Sequence, residues 1–159
     1  MKGNIVINVE TAKIRINPFG FHKYACDYLD SADKWTGEIR YSPVPYFLYC
    51  RAIELGLKAY LLSKDKKLAW IKNTLGHDLT KGLKNARLNS LDDLFDTTDN
   101  EAREIEIANN YYKTKGFEYF VILNHITGLK GLPSLDILKT YSHKLLKHIK
   151  PLTDNTDVE

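Results

Sequence analysis

From Val44 to Leu62 almost every position is apolar or aromatic, and the charges Arg51, Glu54 and Lys58 recur at i, i+3 and i+7. That spacing predicts one long helix with a single narrow polar stripe. Such a helix must be covered around most of its circumference, by the rest of the chain or by a second copy of it, so it is read as the central element. Glu54 precedes Lys58 by four residues, the favoured order for a helical ion pair, and the stripe can be partly self-satisfied.

The flanking patterns are shorter. Ile5, Ile7 and Val9 alternate with polar residues, as do Ile14 and Ile16, which predicts a short β-hairpin within an extended N-terminal segment, residues 1–17. Phe21, Tyr24, Ala25, Tyr28 and Leu29 then follow helical spacing to about Lys34. Leu68 to Leu75 resumes helical periodicity, Gly76 ends it, and Asp78 is placed as the N-cap of a helix that buries Leu79, Leu83 and Ala86. Leu91 to Phe95 reads as one further turn. Thr98 and Glu101 have the spacing of a capping box for a helix reaching about Lys113. Gly116 to Gly131 reads as an extended, partly buried loop. Pro133-Ser134 opens a last helix with Leu135, Leu138, Tyr141, Leu145 and Ile149 inward, which Pro151 is expected to stop, leaving residues 151–159 as a mobile acidic tail. The fold class is therefore all-α, a bundle of about five helices over residues 18–150.

Composition adds limits rather than detail. At 159 residues, 43% hydrophobic and 27% charged, the chain reads as one globular domain with a core of its own. The longest uncharged apolar run, Tyr41 to Cys50, is too short for a bilayer, and the N-terminus has no apolar signal region. The expectation is a cytoplasmic protein with no membrane contact, and with Cys26 and Cys50 as free thiols. A net charge of +3 is mild, but lysines crowd Lys58 to Arg87 while Asp92 to Glu106 is acidic, which suggests faces of opposite sign.

Known catalytic and cofactor signatures are missing. The chain has no P-loop, no G-x-G-x-x-G and no H-E-x-x-H, so no cofactor is expected. His143 and His148 are five apart, about 140° around a helix, and do not make a metal pair. Neither cysteine is expected to have a basic neighbour that would lower its pKa, so nucleophilic catalysis by a thiol is not expected. His77-Asp78 sets an imidazole beside a carboxylate, but Asp78 is accounted for as a cap and adjacent side chains rarely converge on one substrate. Tyr111, Tyr112, Phe117, Tyr119 and Phe120 beside Lys113 and Lys115 could stack bases, although aromatics this dense more often form core.

The segment RAIELGLKAYLL, followed about a dozen residues later by GHDLTKGLKNA, resembles the HEPN superfamily of small prokaryotic helical domains. NNYYKTKGFEYF followed by GLPSLDIL resembles the last third of one branch of it, so the likeness spans roughly residues 44–150. Nucleases similar to this superfamily carry an arginine, four to six residues and a histidine on a late helix. Here that position holds Tyr112, Lys115, Phe117, Glu118 and Tyr119, and the one literal match, Arg15 to His22, straddles Pro18 and Gly20 outside the region of likeness. The resemblance thus implies a non-catalytic binding or accessory module, a homodimer partnered by a nucleotidyltransferase or by RNA. A metal-independent RNase of toxin–antitoxin type and a dimeric scaffold are the alternatives. The binding candidates are Arg51, Glu54, Lys58, His77, Asp78, Tyr112, Lys115 and Tyr119.

Overall fold

The computed structural model describes residues 17–37, 42–118 and 131–154. Among them are six α-helices and no strand: α1 Pro18–Asp33, α2 Val44–Ser63, α3 Leu68–Thr74, α4 Leu79–Leu88, α5 Asp99–Tyr112 and α6 Leu135–Asp154, with a 3-10 turn at Leu91–Asp93. The all-α expectation holds. The expected hairpin, the loop across residues 119–130 with Tyr119, and the last five residues lie outside the described residues.

α2 is central. It touches α1, α3, α4, α5 and α6, most extensively α1 and then α6. α1 can come close because its inward face includes Ala25 and Ala32, with Leu29 between them. α6 approaches at Gly56, where a Cβ would lie 2.7 Å from Leu146 Cδ2 and 3.0 Å from Leu145 Cδ2. On the α4 side Leu57 packs over Gly82, whose added Cβ would stand 3.3 Å from Leu57 Cδ1. Tyr49, Ile53, Leu57, Tyr60 and Leu61 are all buried. The cover that the apolar surface of α2 demands is therefore supplied largely within one chain, and that surface no longer argues for a second copy.

Helix ends follow the sequence signals closely. Asn17 accepts from Gly20 N at 2.8 Å ahead of Pro18, and Thr98 and Glu101 exchange both bonds of a capping box. Asp78 accepts from Lys81 N at 2.9 Å, and Gly76 takes the left-handed conformation, φ 54°, just past α3.

One stop signal is overruled. α6 runs through Pro151 to Asp154 rather than ending there. Proline costs the helix a single N–H bond near its end, whereas continuing it buries Thr153 completely, with its hydroxyl donated to Lys150 O at 3.0 Å, and packs Leu152 on the core. Of the dense aromatics around the end of α5, Tyr112 and Phe117 are likewise interior. Phe117 stacks between Tyr111 and Tyr46 at ring separations of 5.3 and 5.6 Å, and Phe117 and Tyr112 are buried. They form no exposed platform for bases.

Candidate functional site

Glu54 sits in the middle of α2 at 4% exposure, and an isolated carboxylate cannot stay charged so deep. Its own helix supplies two answers. Lys58 Nζ donates to Oε1 at 2.5 Å, and Arg51 Nη1 reaches both oxygens at 3.1 and 3.2 Å. Two more donors come from elsewhere in the fold. The Tyr112 hydroxyl, from the end of α5, donates to Oε2, and His77, from the turn between α3 and α4, places Nδ1 3.2 Å from both oxygens. A carboxylate only accepts, so in these contacts His77 donates its Nδ1 proton to Glu54. Burial works against the charge on Glu54, but Lys58, the Tyr112 hydrogen bond and Arg51 outweigh it and hold the carboxyl below its ordinary range. Burial, and after it the charge of Glu54, push the Tyr112 phenol well above its ordinary value.

Above this cluster lies a partly enclosed cavity of about 250 Å³, lined by Tyr28, Phe47, Arg51, His77, Tyr112, Lys113, Lys115 and Glu118. Arg51 also lies over the Tyr28 ring, 5.8 Å from its centre, which fixes the guanidinium between an aromatic face and a carboxylate. Lys113, Lys115 and Glu118 arrive from the turn after α5. That turn closes with Lys115 N donating to Tyr112 O at 3.0 Å and Gly116 N to Tyr111 O at 2.7 Å. Lys115 itself is left-handed, φ 62°, where glycine or asparagine is the usual choice.

Of the eight sequence candidates, Arg51, Glu54, Lys58, His77, Tyr112 and Lys115 converge here. Asp78 does not. Its Oδ1 accepts from Lys81 N and from Asn109 Nδ2 at 3.0 Å, and the same Asn109 accepts from Leu79 N and donates to Thr80 Oγ1, so Asp78 belongs to the α4–α5 junction. The carboxylate beside the imidazole is Glu54, not the sequence neighbour Asp78. Tyr119 lies outside the described residues. Tyr28, Phe47 and Glu118 were missed as site residues, because their only claim is proximity across helices.

The second polar cluster is more exposed. Asp33, at the end of α1, accepts from Tyr49 OH at 2.8 Å and pairs with His143 at 2.7 Å and Lys139 at 3.4 Å. It ties α1 to α2 and α6. Among the described residues no group of three or more His, Cys, Asp and Glu is arranged to hold a metal ion, and no helix is long and apolar enough to cross a membrane. No family model matches the chain, and neither a curated protein nor a solved structure does.

Proposed function

We propose that this chain is a non-catalytic, HEPN-like binding module that takes the phosphate backbone of RNA at the mouth above Glu54. The observation that carries the reading is the charge arrangement of the cavity. Arg51, Lys113 and Lys115 line it against one lining carboxylate, Glu118, while the buried Glu54 is already matched by Lys58 at 2.5 Å. A mouth of that sign attracts an anion, and Arg51, held by Glu54 and the Tyr28 ring, is a rigid fork for phosphate oxygens. At about 250 Å³ the cavity falls below the roughly 300–1,000 Å³ of pockets that enclose drug-sized ligands. A phosphate with its sugar fits, and the rest of a strand passes over the rim.

The test is fluorescence anisotropy with an end-labelled, mixed-sequence single-stranded RNA across a salt series. Lys113→Ala/Lys115→Ala should weaken binding at least about tenfold and flatten the log–log salt dependence by about 1.4, as expected for two lost contacts on a single strand. Unchanged thermal melting of the variant would exclude unfolding as the cause. Absence of RNA binding, or binding whose strength and salt slope ignore both lysines, would overturn the reading.

A second reading rests on the His77–Glu54 pair. An imidazole held in one tautomer by a carboxylate, with Arg51 Nη1 3.5 Å from the same ring nitrogen, is an arrangement that can move a proton next to a bound phosphate. It favours the RNase alternative, which cleavage assays separate from binding alone.

A further inference from the structure

On the far side of α4 from α2, a groove of about 560 Å³ runs between α4 and α5. Its floor is apolar, with Leu83 and Ile105 at the bottom, and its lip carries Leu88, 73% exposed and the most exposed large apolar side chain described. The two walls differ in charge. Lys84 and Arg87 stand on the α4 wall, while Asp99 and Glu106 stand on the α5 wall, where Arg103 lies within one turn of each acid. Arg87 is engaged by Asp92 at 2.7 Å, and Lys84 is the other basic side chain lining the groove from α4.

We infer that this groove is a two-fold interface between copies of the chain, with α4 of each copy laid against α5 of the other. A polyanion would meet the acidic α5 wall, and an acidic helix would meet it too. A basic helix would meet Lys84 and Arg87. The partner that presents both signs in the matching order is the same surface turned through a two-fold axis, because a self-complementary patch pairs its basic wall with the acidic wall of its mate. In that arrangement Leu88 of each copy leaves water for the apolar floor of the other. α4 and α5, of 10 and 14 residues, are about 15 and 21 Å long. Their outer faces alone fall short of the roughly 800 Å² per partner of a standard interface, so the dimer is a weak one, forming at micromolar concentration. It does not depend on the α2 cavity, and RNA is absent from its test.

The experiment is light scattering and sedimentation of the full chain over about 5 to 500 µM. The mass should rise toward twice that of the chain, and Leu88→Glu should hold it at one copy with an unchanged melt. Lys84→Glu and Glu106→Lys should each weaken self-association at least about tenfold, while an equimolar mixture of the two restores a dimer, since each reversed wall then faces its opposite. A monomer throughout the range overturns the interface. So does a dimer indifferent to Leu88→Glu, or a mixture that stays monomeric. If Leu88→Glu lowers the melt, the restoration in the mixture decides.

Discussion

Glu54 shows what one residue can and cannot announce in a sequence. Its spacing from Arg51 and Lys58 is visible, and both pairs form at 3.1 and 2.5 Å. Its other two donors are 23 and 58 residues away, and no local pattern joins them to it. For His77 the one carboxylate visible in sequence was Asp78, set aside as a cap, because adjacency along a chain can be read whereas the adjacency to Glu54 across helices cannot. The energetic consequence is testable through pH. The folded carboxyl is held below its ordinary value, so its contribution is fully present above the unfolded value, about 4.3, and is lost as the pH falls through the lower folded one. Glu54→Gln should therefore lower stability at pH 7 by roughly 2–4 kcal/mol, somewhat under the cost of breaking a fully buried pair because Arg51 is 27% exposed. It should also flatten the dependence of the melting temperature on pH between about 5 and 3. Glu101, held low by Lys144 and the Thr98 cap after its own burial is offset, should preserve part of that dependence in the variant. Melts from pH 6 to 3 measure both, and parallel curves for variant and wild type would refute the account.

At the scale of elements, the legible features were those with chemistry of their own. Asp78 and the Thr98–Glu101 box are short-range devices, and each appears where its residue types called for it. Pro151 was misread because the rule for stopping a helix is local, and the burial of Thr153 that overrules it is tertiary. Asn109 was missed for the same reason: nothing in α5 says that its amide will serve the first turn of α4. Asp78→Ala should thus cost more than a lost cap, since it also removes an acceptor from Asn109. About 1–3 kcal/mol is expected, against 0.5–2 for a cap alone. Asn109→Ala should cost a similar amount, and the double variant less than the sum, because the two share one network. Denaturant titrations of the three variants test this, and full additivity would separate the two residues. RNA binding should survive Asp78→Ala, which lies outside the cavity.

At the scale of the whole molecule, the central place of α2 was legible from its hydrophobic circumference, but its neighbours were not. The cavity above Glu54 gathers α1, α2, the turn before α4 and the end of α5, elements distant in the chain, so composition and periodicity pass over it. This scale also decides whether the site can cleave RNA. Metal-independent cleavage needs a group to take the 2′-hydroxyl proton, another to protonate the leaving oxygen, and a cation on the phosphate. Arg51 can supply the cation, and Nε2 of His77 can supply one proton acceptor. A second imidazole is lacking among the described residues that line the cavity. The Tyr112 hydroxyl is committed to Glu54 and is pushed up by burial. The other described imidazoles are engaged elsewhere, His22 on Leu146 O, His143 on Asp33 and His148 on Lys144 O. The purified protein should therefore bind single-stranded RNA in chelator without cutting it, and the His77→Ala protein should be indistinguishable from wild type in a cleavage assay. Cleavage that survives repeated purification and vanishes in His77→Ala would replace the binding module with a nuclease, with Glu54 holding its base.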